Sequence, residues 1–367
     1  MNKDIKSLYI HIPFCENICD YCDFTKLQYF RIFAIKYLKS LKEEFAYREI
    51  PKKLETIYIG GGTPTALEND LFEDLLSFVS EYIDTVKEYT IEANPESLTI
   101  RKLQMMKKYG VNRISIGVES TNDNILKAIN RRHTFKDVKS TVKKAKEIGF
   151  NNINVDLILG LPNITTDLLR KDIENVLDLN VQHISCYSLS VHPHTVFYNK
   201  GIKENDSDVE REYYDLVNSM LVKVGYTHYE VSNWCLPNRD SMHNRTYWKN
   251  DQYYGVGLGA SGYIGNIRYT NTKNLDNYCK NQFEDYQEIV TNKDDIEYAI
   301  MLNMRMKSGI NLSEFKKRYG YDLEQEKKQE IEELCKNGLI FYDKKCHFIL
   351  PTEDGLMLLD QIILKII

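Results

Sequence analysis

A chain of 367 residues, 43% hydrophobic and 28% charged, has apolar material for a large core divided over two domains, which excludes a disordered protein. A formal charge of -5 supplies no basic field for nucleic acid, and no apolar run reaches the roughly 18 residues of a membrane span. Eight cysteines are too sparse at this length for a disulfide scaffold.

The N-terminal MNKDIKSLYIHIP has no secretory hydrophobic stretch, so a cytoplasmic protein is expected, with the inner face of the membrane as an optional peripheral address. β-Branched runs then alternate with amphipathic ones at intervals of roughly 30 residues. SLYIHIP (Ser7 to Pro13) precedes a helical stretch over 28–48, and LETIYIGGG (Leu54 to Gly62) precedes LFEDLLSFVSEYI. EYTIEANP (Glu88 to Pro95) precedes LTIRKLQMMKKYG, whose Gly110 is a natural helix stop. VNRISIGV (Val111 to Val118) leads into helices over 122–129 and 136–148, NINVDLILGLP (Asn152 to Pro162) into 166–179, and HISCYSLS (His183 to Ser190) into 208–225. Six such units predict an α/β fold, a parallel sheet covered by helices and rolled into an open or partial (β/α)6 TIM-type barrel. YTHYEVSNW adds another strand, and 233–275 is rich in Asn, Gly and aromatics. Residues 294–367 read as mainly helical with a hairpin at LIFYDKKCHFIL (Leu339 to Leu350), a small winged-helix-like module. The expected domains are 1–235 for the barrel, 236–290 for an extension packed on it, and 291–367 for the C-terminal helices.

Function in parallel sheets gathers at the C-terminal ends of the strands. Here those ends read IPFC, GGGTPT, EANP, GVES, DLILGLP and SLSVHP. The first opens a loop holding Cys15, Cys19 and Cys22 in C-x3-C-x2-C spacing. Zinc sites normally take four ligands in separated pairs, whereas three thiolates from one loop suit an iron-sulfur cubane with one iron left open. An open iron chelates an amine and a carboxylate together, the pair that S-adenosylmethionine offers. A zinc-binding module and a set of small buried cysteines are the competing readings. Gly60 to Gly62 lack the GxGxxG fingerprint and the P-loop lysine, which sets nucleotide phosphate aside. Glu92 puts a carboxylate at the next strand end.

With these pieces on one sheet edge, the chain resembles the radical SAM superfamily, whose reduced 4Fe-4S cluster cleaves the sulfonium C–S bond of S-adenosylmethionine to methionine and a 5'-deoxyadenosyl radical. The resemblance implies cluster ligation by Cys15, Cys19 and Cys22, and Tyr21 packed on adenine. It also implies that the glycine turn receives the methionine amino group and that Glu92 accepts ribose hydroxyls or the ammonium. Tyr9, Gly61, Gly62, Thr63, Glu119, Arg131 and Asp156 complete the implied cofactor set. YIHIPFC, GGGTPT, IEANP, NRISIGV and DLILGLP together are similar to the oxygen-independent coproporphyrinogen III oxidase group, over residues 7–190. Oxidases of that group carry a further cysteine two residues after the third, whereas Cys22-Asp23-Phe24 resembles the haem chaperone branch, HemW.

HNRTYW (His243 to Trp248), VGLGASG (Val256 to Gly262) and Arg268-Tyr269-Thr270-Asn271 resemble the same branch. An exposed His243 beside Tyr247 and Trp248 would offer haem an axial nitrogen and flat stacking surfaces. The same residues can equally cap a loop and fill a core. His192 and His194 are alternative haem ligands; the branch tends to show an acidic residue where Val191-His192-Pro193 stands, and a histidine where Ser261 stands. In the oxidases a second S-adenosylmethionine is contacted by residues matching Gly62, Thr63, Glu119, Arg131, Asp156 and Ser190. Glu119 replaces the usual Gln, which removes two donors, adds charge and invites pairing with Arg131.

The implied function is a haem chaperone that binds the cluster, S-adenosylmethionine and haem, and passes haem to apo-haem proteins. Its implied partners are an electron donor such as flavodoxin or ferredoxin and a second copy in a homodimer. The alternative is coproporphyrinogen III dehydrogenase, which turns propionates into vinyl groups by β-hydrogen abstraction, electron loss and decarboxylation. Whether the chain acts as an enzyme stays open, and no catalytic residue is assigned. His11 reads as a packed histidine or as a tuner of the cluster, and Cys186 as packing.

Overall fold

The computed structural model describes residues 5–367, so the first four residues of the expected barrel domain and of the N-terminal stretch lie outside it. Strands β1 (Ser7–Ile12), β2 (Thr56–Gly61), β3 (Glu88–Ala93), β4 (Arg113–Glu119), β5 (Ile153–Leu159) and β6 (His183–Ser188) lie side by side in chain order, every neighbouring pair parallel. Side chains alternate across a strand, and here the alternation divides two environments. Leu8, Ile10, Ile57, Ile59, Ile91, Ile116, Val155 and Ile184 enter one hydrophobic core. Residues of the other parity, including Tyr58, Glu92, Ser115, Asp156 and Tyr187, line a cavity.

The apolar face is covered by the returning helices α1 (Arg31–Tyr47), α2 (Asn69–Val79), α3 (Ile100–Lys108), α5 (Phe135–Glu147), α6 (Thr166–Asp178) and α7 (Ser207–Lys223), whereas the short α4 (Asp123–Ala128) packs in a small separate cluster with Ile158, Leu189 and Phe197. Phe45, Leu75, Met106, Val142 and Ile173 are the buried contributions of the covering helices. Hydroxyl and amide caps set where several begin: Thr99, Asn122 and Thr165 each accept a backbone N–H of the first turn, and Thr134 with Asp137 forms a capping box.

The sheet stays open. YTHYEVSNW is not one strand but two, β7 (Thr227–Glu230) and β8 (Asn233–Cys235), folded back antiparallel and added at the β6 edge. Helix α8 (Met242–Trp248) follows, and β9 (Tyr254–Val256) then pairs in parallel with β1. The order is therefore β9-β1-β2-β3-β4-β5-β6-β8-β7, with no closing pair among the described residues. Strands β10 (Ser261–Ile264), β11 (Ile267–Asn271) and β12 (Glu284–Ile289) form a separate antiparallel sheet. Fully buried Glu44 of α1 ties this region down, accepting from Gly257 N at 2.8 Å, Asn271 Nδ2 at 2.7 Å and the Tyr278 hydroxyl at 2.6 Å.

A second hydrophobic core, with Ile300, Phe315, Ile331, Leu334, Ile349 and Ile362, lies beyond residue 290. Its helices include α9 (Asn292–Asn303), α10 (Leu312–Tyr319), α11 (Lys328–Lys336) and α12 (Leu359–Ile366). The hairpin is present as β14 (Ile340–Asp343) and β15 (Phe348–Pro351), joined by a short strand β13 (Ile310–Asn311) that the sequence did not suggest. No helix among the described residues is long and apolar enough to cross a membrane.

Candidate functional site

The cavity opens at the C-terminal ends of β1 to β6 and measures about 430 Å³. Cys15, Cys19 and Cys22 line it together from the loop after β1, all as free thiols. Backbone bonds staple that loop: Leu27 N donates to Pro13 O at 2.7 Å, and Tyr29 N to Cys15 O at 2.9 Å. His11 braces it from behind, bonding Thr25 O through Nε2 at 2.7 Å and the Tyr9 hydroxyl through Nδ1 at 2.9 Å. Burial lowers the His11 pKa to about 4, so the ring is neutral and donates to the carbonyl.

Two polar groups reach the sulfurs. Thr63 donates to Cys15 Sγ at 3.6 Å and Arg131 Nη1 to Cys19 Sγ at 3.5 Å. Burial raises the pKa of Cys15, and that of Cys22 to about 12. The bare loop therefore holds both as neutral thiols, which a bound cation must deprotonate.

The second strand end has no spare room. A Cβ on Gly61, whose φ is +108°, would stand 2.3 Å from the His11 ring, and one on Gly62 would stand 2.7 Å from the Pro13 backbone. Gly61 N donates to Glu92 at 2.9 Å, and the Tyr58 hydroxyl donates to the same carboxylate at 2.7 Å. Asp156 accepts from Ser115 Oγ at 3.0 Å and Asn154 Nδ2 at 2.8 Å. Burial raises the pKa of both Glu92 and Asp156.

Glu119 ends β4 at a register shift, with φ at +65°. Its carboxylate lies 3.7 Å from Arg131 Nη2, the pairing its sequence invited. Burial raises its pKa to about 7, against the pull of Arg131. Arg131 also donates to Gly117 O, yet its Nε is buried without a hydrogen-bond partner. Three thiols around a cavity, two donors already on sulfurs and a third, Arg131 Nε, unused beside them, fit an anionic iron-sulfur group better than a set of packing cysteines.

Cys15, Cys19, Cys22, Tyr21, Gly61, Gly62, Thr63, Glu92, Glu119, Arg131 and Asp156 thus all line one cavity, as do Ser190 and His192. Tyr9 is outside the lining and acts through His11. Tyr58, Asn94 and Tyr187 also line it and were missed by sequence reasoning, which gave tyrosines no weight. Strand parity could have found two of them: Tyr58 stands between the apolar Ile57 and Ile59, and Tyr187 next to the packed Cys186.

The expectation of an exposed His243 is corrected. His243 is fully buried at the opposite end of the sheet, where its Nδ1 bonds Thr56 Oγ1 at 2.9 Å and its Nε2 bonds the Tyr247 hydroxyl at 2.7 Å. Its ring stacks on Tyr58 with centroids 5.3 Å apart, and burial lowers its pKa to about 3. Both ring nitrogens are engaged, so HNRTYW forms a plug under the cavity. Tyr247 stands edge-on to His243 within that plug, and Trp248 ends its helix half-buried.

The family model of the Radical SAM superfamily matches residues 9–176, and that of the HemN C-terminal domain matches 290–358. The chain is 40% identical to the protein named Heme chaperone HemW from Lactococcus lactis, covering 92% of each chain. It is 37% identical to the Bacillus subtilis protein of the same name, covering 98% of each. Among solved structures it superposes on the coproporphyrinogen III oxidase HemN from Escherichia coli with a TM-score of 0.84 at 22% identity, covering 99% of this chain and 90% of that one. The chain belongs to the HemW family within the radical SAM superfamily.

Proposed function

We propose that the chain is a haem chaperone that holds a 4Fe-4S cluster on Cys15, Cys19 and Cys22, binds S-adenosylmethionine beside it, and carries haem to apo-haem proteins. One juxtaposition carries the reading: three free thiols and three carboxylates share a cavity, in a chain that aligns over nearly its whole length with relatives named heme chaperones. A cluster bound at the thiols would supply the electron that reduces the sulfonium of S-adenosylmethionine.

The chain's own groups do the rest. Thr63 and Arg131 donate hydrogen bonds to cysteine sulfur, which stabilises thiolates as they form. Glu92 and Asp156, whose pKa values burial raises, are stabilised as carboxylates when a cationic ammonium or sulfonium enters the cavity. Tyr21 offers a partly buried aromatic face for the adenine. Phe24 stands where a thiol would follow in the oxidases and is 61% exposed at the cavity, which adds apolar surface. The cytoplasm is the proposed setting, with a flavodoxin or ferredoxin as reductant and a homodimer as the resting assembly.

The test uses anaerobically reconstituted protein with S-adenosylmethionine and dithionite, given haem or coproporphyrinogen III. Stoichiometric haem uptake, read at the Soret band, without decarboxylated porphyrin supports the chaperone. Conversion to protoporphyrinogen without tight haem binding overturns it in favour of a tetrapyrrole-forming dehydrogenase.

A further inference from the structure

Haem needs an iron ligand, and the eight histidines divide sharply by accessibility. His11, His133, His183, His228 and His243 are buried and each is in contact with neighbouring polar groups. His192, His194 and His347 are exposed. His347 sits in the C-terminal hairpin, bonding Leu312 N through its backbone carbonyl, and His194 does not line the cavity. His192 does, on the loop that leaves β6, with 52% of its side chain accessible.

Its surroundings suit a flat apolar ring with anionic edges. Phe24 and Tyr187, 61% and 42% exposed, line the same cavity. Val196 and Tyr198, also exposed, follow on the His192 loop. The cavity walls hold three acids, Glu92, Glu119 and Asp156, against one arginine, Arg131, so they offer little cationic surface to a propionate-bearing ring. Lys26 lines the cavity beside Phe24 and is the cationic group that a propionate would meet there.

We propose that His192 is the haem-iron ligand of this chain, oriented by Asp23 and seated at the cavity mouth beside Phe24 and Tyr187. Asp23 Oδ2 approaches His192 Nε2 at 3.5 Å, and the other ring nitrogen has no partner among the described residues. Closing that gap by a few tenths of an ångström would make the carboxylate–imidazole hydrogen bond by which metal-ligating histidines are oriented. Rotation of this exposed ring exchanges the two nitrogens, so either can face the iron. Asp23 sits next to Cys22, so the haem ligand is oriented from the loop that carries the thiols. The assignment rests on the haem-carrying reading of the site.

The test titrates full-length protein with haemin, comparing wild type with His192→Ala, His194→Ala and Asp23→Asn by Soret position, electron paramagnetic resonance and affinity. His192→Ala is expected to lose the histidine-ligated spectrum and at least tenfold in affinity at unchanged melting temperature, with added imidazole restoring the band. His194→Ala should match wild type, and Asp23→Asn should keep the band while shifting the haem midpoint potential. Unchanged spectrum and affinity in His192→Ala, with wild type binding haem stoichiometrically, overturn the assignment alone. A wild-type chain that takes up no haemin overturns the haem-carrying reading and this assignment with it.

Discussion

Glu119 makes the site's chemistry depend on pH in a direction fixed by its surroundings. Its folded pKa of about 7 exceeds the ordinary 4.5 because burial and the carboxylates of Asp156 and Glu92 outweigh Arg131 and the Tyr21 hydroxyl. Below 4.5 both folded and unfolded chains hold the proton; between there and about 7 only the folded chain does, so stability falls as pH rises through that window. Denaturation of the metal-free protein from pH 4.5 to 8 should show this decline, and Glu119→Gln should flatten it. A slope identical in the two proteins would remove Glu119 as its source. His243 gives a second case. His243→Ala strands the Tyr247 hydroxyl, leaves Thr56 with its bond to Ser7 Oγ alone and opens a cavity under Tyr58, a loss of about 2–4 kcal/mol. Thermal melts should register that loss while the haem spectrum of the folded fraction stays as in wild type. The cysteines were legible because their spacing is itself the chemistry. His243 was not, because HNRTYW reads the same whether its helix faces solvent or closes the bottom of a sheet.

At the scale of elements, α8 shows how a short helix is held where its own propensity would not keep it. Two N-terminal amides, Met242 N and His243 N, donate to Glu88 at 2.9 Å each, and Ser241 Oγ caps Asn244 N at 3.3 Å. Glu88 is the first residue of β3 and is buried, so a strand carboxylate serves as the helix anchor. Glu88→Ala should cost about 2 kcal/mol, and hydrogen exchange should show faster amides over 242–248 before any loss in the six parallel strands. Unaltered protection there would mean that packing alone holds the helix. The six parallel units were readable from apolar strands followed by amphipathic runs, and the helix starts from Thr and Asn caps. The break at Val231 and Ser232 was not, because Val231 is itself strand-favouring and no Gly or Pro marks the turn. Nor did apolar strand periodicity suggest that Tyr254 to Val256 would lie beside β1, since that pairing spans most of the chain.

For the whole molecule, the C-terminal core is joined to the sheet through a charged clasp. Glu353 contacts Lys307 at 2.6 Å and His228 of β7 at 3.5 Å. The His228 contact, with Lys307, lowers the Glu353 pKa to about 2, so its contribution is present above the ordinary 4.5 and fades as pH falls toward 2. With Glu353 partly exposed, solvent screening keeps the clasp to about 1 kcal/mol or less. Glu353→Ala should therefore leave the fold intact while limited proteolysis cuts sooner near residue 290; an unchanged cleavage pattern would assign the docking to apolar contacts. The helices and hairpin of this region were evident in the sequence, whereas their mooring depends on residues 125 apart in the chain, His228 and Glu353, that no local pattern links. The α8 plug has one more consequence, for traffic. Because Tyr58, His243 and Glu88 stop the lower end of the sheet, guests enter and leave by the same door, so whatever lies deepest arrives first and departs last.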